Sequence, residues 1–128
     1  MPKGPLIAIV DDDESMRDTT KDLLESAGFS AATFARAVSL LTYKRLDKVA
    51  CLIADMRMPE MTGLELHQRL VASRRAIPTI LMTAYPDERV RAQALKAQVV
   101  CYLAKPFAAE ELLALVRSAI HEGTNGNT

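Results

Sequence analysis

A fivefold alternation of short apolar runs with longer amphipathic stretches constrains this chain more than any other feature. The runs fall at Leu6–Val10, 29–34, Val49–Asp55, Thr79–Thr83 and 99–103, and turn residues bound them. Short, nearly unbroken apolar runs of this kind suit strands buried on both faces. Between them, apolar side chains recur at helical spacing. Met16, Thr20, Leu23, Leu24 and Ala27 mark a helix over 15–27, and Gly28 is placed to end it. A softer second helix is expected over 36–46, and Leu66, Leu70 and Val71 form the inward face of a third over 64–73. Asp87 caps a fourth helix running to about Gln98, with Val90, Ala94 and Leu95 as its apolar face. Leu112, Leu113, Leu115, Val116, Ala119 and Ile120 carry a fifth over 110–121. Strict strand–helix alternation dictates a parallel sheet with helices on both faces and every strand C-terminus on one edge.

A chain of 128 residues is the right size for one such domain. Its 16 basic and 16 acidic residues cancel, which argues against an electrostatic nucleic-acid or membrane surface. No apolar run approaches the roughly 18 residues that span a bilayer, and a cytoplasmic protein is expected. Cys51 and Cys101 both lie in apolar runs, where cysteine acts as a small hydrophobe. The polar segment 123–128, GTNGNT, reads as a disordered tail or the start of a linker, leaving 1–122 as the domain. His67 and His121 read as surface residues on helices.

The residues that follow the strands decide the chemistry. The first strand runs into Asp11 and Asp12, the third ends on Asp55, the fourth on Thr83, and Lys105 follows the fifth. Open α/β sheets place their ligands at this edge. Carboxylates converging in one crevice repel unless a cation lies among them, and a hard ion such as Mg²⁺ suits oxygen ligands. One carboxylate could then attack phosphorus to form an aspartyl phosphate. Lys105 would balance the charge on the phosphoryl oxygens, and the Thr83 hydroxyl could donate to one of them. Taken singly, each residue has a plainer explanation. Asp11 to Asp13 could simply cap a helix, Asp55 could begin a loop, Thr83 could merely end a strand, and Lys105 could be a solvated loop charge.

Four motifs together remove that ambiguity: IVDDDE at 9–14, DMRMPEMTG at 55–63, MTA at 82–84 and KPF at 105–107. In this order and spacing the sequence resembles a bacterial response-regulator receiver domain, the phosphoacceptor of two-component signalling. Its DMRMPEMTGLEL segment is most similar to receivers of nitrogen-fixation and nitrate-type regulators and of hybrid histidine kinases. The resemblance implies a flavodoxin-like three-layer sandwich with strand order 2-1-3-4-5. It implies Asp55 as phosphoacceptor, with Asp11, Asp12, Asp55 and the Arg57 carbonyl as Mg²⁺ ligands. Thr83 and Tyr102 would form a switch pair and Lys105 would pair with the phosphoryl group. The Lys105–Pro106 bond would be cis, and Pro59 and Gly63 would shape the loop after Asp55. A histidine kinase or phosphotransfer domain would be the donor. An output domain or downstream protein would read helix four, strand five and helix five, and phosphorylation could drive homodimerisation. Such a domain assists its own phosphorylation and dephosphorylation but does not turn over external substrates.

Three positions depart from that family's habit. Gln98 and Val99 stand where Gly-Ala is usual, Ala108 replaces a helix-capping residue, and Tyr85 is bulky enough to shield a phosphoryl group. Two other chemistries fit the pattern less well. A dehalogenase-type phosphatase needs a second Asp two positions after its nucleophile, where this chain has Arg57. A flavin-binding module needs a phosphate cradle where Asp11 to Asp13 would repel an anion. A phosphorylation-independent docking module would be expected to have lost Asp55 or Lys105.

Overall fold

The computed structural model describes the backbone of residues 4–125 and the side chains of residues 4–121. Five strands alternate with five helices: β1 (Leu6–Val10), α1 (Glu14–Ser26), β2 (Ser30–Phe34), α2 (Ala37–Leu41), β3 (Val49–Asp55), α3 (Gly63–Ala72), β4 (Thr79–Thr83), α4 (Glu88–Lys96), β5 (Cys101–Ala104) and α5 (Ala109–Asn125). All strand pairs are parallel, and the order across the sheet is β2-β1-β3-β4-β5.

Strand alternation sorts the core into two layers. Leu6, Ala8, Val10, Leu52, Ala54, Leu81 and Tyr102 face a cluster that includes Leu40, Leu66, Leu70 and Ala94, from α2, α3 and α4. Ile7, Ile9, Cys51, Ile53, Ile80, Met82 and Leu103 face the opposite cluster, with Leu24, Leu112 and Val116 from α1 and α5. Burial raises the Cys51 thiol to about 12, so it packs as a hydrophobe.

Helix starts follow their capping chemistry. Asp13 accepts from Met16 N–H at the start of α1, and Asp87 accepts from Arg89 and Val90 N–H at the start of α4. Thr62 and Glu65 form a reciprocal capping box on α3. Gly28, at φ +94°, follows α1 in the left-handed conformation that the sequence suggested.

Several expectations need correction. α2 stops at Leu41, short of the Leu46 expected, and a separate 3-10 turn follows at Leu46–Lys48. The Thr42 hydroxyl donates back to the Val38 carbonyl, a competing bond that suits a helix end. Val71 and Leu95 were expected inward, yet both are exposed, because each lies one residue past the buried stripe of its helix. β5 begins at Cys101, since Val99 N–H is used to close α4 on the Ala94 carbonyl. The backbone of α5 continues through Asn125, so 123–125 extend this helix, and 126–128 lie outside the described residues. The largest correction concerns His67. It is buried, and its two ring nitrogens lie 2.8 Å from Thr79 Oγ1 and from the Ala97 carbonyl.

Candidate functional site

Sheet register brings the acidic residues together. Val10 pairs with Ala54, so the next residues along, Asp11 and Asp55, leave adjacent strand tips side by side. Thr83 pairs with Ala104, and Lys105 follows one step beyond. By strand parity Asp11, Asp55 and Lys105 continue the α1/α5 face, whereas Thr83 and Tyr102 belong to the α4 face. The two halves of the site therefore look toward different helical layers.

Asp11 is fully buried and Asp55 nearly so, while Asp12 is exposed. Carboxylate oxygens of the three lie within 4.8 Å of one another. Lys105 Nζ approaches Asp11 Oδ2 at 3.4 Å and Asp55 Oδ2 at 3.6 Å. Asp11 is held from both ends. Its Oδ1 accepts from Asp13 N–H at 2.9 Å, and its carbonyl accepts from Arg17 Nη1 at 2.7 Å. Burial, with the negative charge of Asp11 beside it, raises the Asp55 pKa above the ordinary carboxylate value. Lys105 and the Arg57 backbone N–H oppose that rise, and Asp12 adds to it. One ammonium against three carboxylates leaves a local deficit of positive charge. A compact, all-oxygen donor set of this kind fits a small divalent cation such as Mg²⁺.

The loop after Asp55 is fixed by close packing. Met56 N–H donates to the Met82 carbonyl at 2.8 Å, tying the loop to β4. A side chain on Gly63 would bring a Cβ to 2.6 Å from the Asp55 carbonyl oxygen, so only glycine lets α3 start this close to the strand tip. Pro59 lies in the intervening turn, where its carbonyl accepts from Met61 N–H at 2.9 Å. Glu60, at φ +77°, receives the Arg36 guanidinium, whose Nε lies 2.8 Å from its carboxylate. The Lys105–Pro106 bond is cis, as the family resemblance implied.

Thr83 is buried, and its Oγ1 accepts from Tyr85 N–H at 3.0 Å. Tyr102 is also buried, and its hydroxyl accepts from Asp87 N–H at 3.3 Å. Both residues line a cavity of about 240 Å³ with Met56, Arg57, Tyr85 and Val90. The Arg57 guanidinium lies 4.3 Å from the centroid of the exposed Tyr85 ring. That stack and the Arg91 guanidinium, 5.2 Å from the centroid of the Tyr102 ring, were not expected from the sequence. A same-face reading could have signalled the second, because Arg91 lies one turn after Asp87 on α4.

The comparisons with known proteins agree with this geometry. The family model for the response regulator receiver domain matches residues 7–117. The transcriptional regulatory protein FixJ of Bradyrhizobium diazoefficiens is 36% identical over 116 residues, covering 91% of this chain and 57% of the relative. The response regulator protein TodT of Pseudomonas putida is 35% identical over 118 residues, covering 92% and 52%. The chain thus spans about half the length of these curated relatives. Among solved structures, the response regulator StyR superposes with a TM-score of 0.89 at 36% identity, covering 97% of this chain and 63% of that one. A receiver protein from Pseudoalteromonas atlantica gives a TM-score of 0.85 at 26% identity, covering 93% and 99%. With the acidic crevice, the parallel sheet and the family match in agreement, this chain belongs to the response regulator receiver domains, the signalling switches of two-component systems.

Proposed function

We propose that this receiver accepts a phosphoryl group on Asp55 from a phosphohistidine of a kinase or phosphotransfer partner. The observation that carries the reading is the placement of Asp55. Its carboxylate ends the central strand, nearly buried, with Asp11 and Asp12 on one side and the Lys105 ammonium 3.6 Å away.

An Asp55 oxygen attacks phosphorus, forming the O–P bond as the N–P bond to the donor histidine breaks, and that nitrogen keeps the bonding electrons. Asp11, Asp12, Asp55 and the Arg57 carbonyl would hold Mg²⁺, which when bound supplies positive charge to the phosphoryl oxygens. Lys105 is already within reach of Asp55 and pairs with the transferred group. The Thr83 hydroxyl, now accepting from Tyr85 N–H, donates its own hydrogen to another phosphoryl oxygen. Hydrolysis reverses the state: water attacks phosphorus, the O–P bond to Asp55 breaks, and carboxylate and phosphate are released. Arg57 and Tyr85, stacked on one another, line the cavity beside Thr83, where they would screen the phosphoryl group from water.

Thr83 and Tyr102 share one cavity with the start of α4, so a change at Thr83 reaches the surface formed by α4, β5 and α5. That surface would serve an output domain, a downstream protein or a second copy of the receiver, in a cytoplasmic setting. Arg57 at the position where a dehalogenase-type phosphatase has its acid/base carboxylate argues against turnover of external phosphoesters. No described helix is long and apolar enough to cross a membrane.

The test is incubation with acetyl phosphate and Mg²⁺, read as intact mass. A gain of one phosphoryl group, lost in Asp55→Asn and with EDTA, is the expected result. An adduct that persists in Asp55→Asn would overturn the assignment.

A further inference from the structure

α4 is held differently at its two ends. At its start, Tyr102 OH accepts from Asp87 N–H at 3.3 Å, and the Arg91 guanidinium covers the Tyr102 ring. The residue that α4 buries is Ala94. An open cleft of about 570 Å³ separates α4 from α3, lined by Leu64, Gln68, Val90, Gln93 and Ala97 among others. It meets the cavity beside Thr83 at Met56, Thr62 and Val90. The cleft runs along α4 from Val90 to Ala97, so the helix has space beside it on its α3 side.

Its other end is pinned by His67. A carbonyl can only accept, so His67 Nε2 carries the hydrogen and donates to Ala97 at 2.8 Å. The opposite nitrogen, Nδ1, then accepts from the Thr79 hydroxyl at 2.8 Å. Thr79 is fully buried, and its one hydroxyl hydrogen is shared between Nδ1 and the Ile77 carbonyl 2.9 Å away, which orients the side chain at the start of β4. One buried imidazole thus joins α3, β4 and the last turn of α4. The chain leaves that turn through Gln98 at φ +66°, a left-handed residue that holds the exit in a tight bend.

We propose that His67 is a positioning residue for the switch. It anchors the C-terminal end of α4 to the sheet, so that phosphorylation swings the N-terminal end about this point. The swing rests on the Asp55 phosphoacceptor reading, whereas the anchor does not.

The test uses the 128-residue chain and amide hydrogen exchange, with and without Mg²⁺ and beryllofluoride as the phosphoryl mimic. Exchange reports local opening of individual turns. In the wild-type protein the mimic should change exchange at 88–91 and leave Ala97, Gln98 and Val99 protected. His67→Leu should speed exchange at Ala97 to Val99 at least tenfold without the mimic, and should let the mimic's effect spread along all of α4. The apparent affinity for beryllofluoride should stay within twofold, which a general loss of structure would not allow. His67→Gln retains a donor for the Ala97 carbonyl and should restore most of the protection. Should His67→Leu fail to fold, the isosteric Thr79→Val frees Nδ1 and should give a smaller rise at the same amides. Unchanged exchange at Ala97 to Val99 in these variants would overturn the anchor. Wild-type changes greatest at Ala97 and Gln98 would overturn the pivot. A wild-type protein that ignores the mimic would sink the phosphoacceptor reading and the swing with it, and exchange without the mimic would still decide the anchor.

Discussion

α3 and α4 are neighbours of similar length on the same face of the sheet, and they are held very differently. α3 buries Gly63, Leu64, Leu66, His67 and Leu70, has a complete capping box, and starts hard against the Asp55 carbonyl. α4 buries Ala94, has a one-sided Asp87 cap, and exposes Leu95. Burial at roughly 25 cal/mol per Å² of apolar surface makes the first helix part of the scaffold. The second, with one buried side chain, has far less burial to hold it. A switch can use both: a rigid wall behind the Asp55 loop, and a less firmly held element beside it.

The strongest way to break this comparison is to truncate one leucine of each helix. Leu66→Ala removes a fully buried side chain and should cost about 2–5 kcal/mol by denaturant unfolding. Leu95→Ala should stay within about 0.5 kcal/mol, since Leu95 is 55% exposed. Equal losses would mean that α4 is as firmly built into the core as α3.

Cap removal sharpens the contrast. Thr62→Ala and Asp87→Ala each delete an N-cap, worth about 1 kcal/mol. Thr62→Ala should lower global stability by that amount. Asp87→Ala should instead appear mainly as faster exchange within α4, with little change in the unfolding midpoint. A global loss in both would contradict the picture of a loosely coupled α4.

The exits of the two helices also invite comparison. Arg74 and Gln98 both have positive φ without being glycine. Gln98→Gly should relieve the left-handed strain and raise stability by up to about 1 kcal/mol, read by urea unfolding.

Asp55 carries a pH signature of its own. A carboxyl whose folded pKa is raised binds its proton more tightly in the folded protein than in the unfolded chain. At neutral pH its ionisation opposes folding, and that penalty is relieved as pH falls through the raised folded value toward the ordinary one. Without divalent cations, Asp55→Asn should therefore melt above the wild-type protein at neutral pH, and the gap should close on acidification.

Much of this architecture was legible in the residues, for identifiable reasons. β1, β3 and β4 are almost wholly buried runs bounded by charged or turn residues, so their limits matched the sequence reading. β5 and α2 were less legible, because Val99 serves the end of α4 and Thr42 diverts its hydroxyl to a helix carbonyl. At the site, strand-end position put Asp11, Asp12, Asp55 and Lys105 on one edge, and the family resemblance supplied the strand order that sets Asp11 beside Asp55. His67 was misread as a surface residue because of its polarity, although its position gave the signal. Gly63, Leu66, His67 and Leu70 form the i, i+3, i+4, i+7 stripe of a buried helical face. The Arg57–Tyr85 stack joins two loops, and no periodic pattern reaches across such a contact.

The measurement that bears most directly on this account is amide exchange of α3 and α4 in one sample, before and after Mg²⁺ and beryllofluoride are added. The account predicts a clear change at 88–91 on α4, none across 63–72 on α3, and no response at all in Asp55→Asn. A uniform change in both helices, or a response that survives Asp55→Asn, would contradict it.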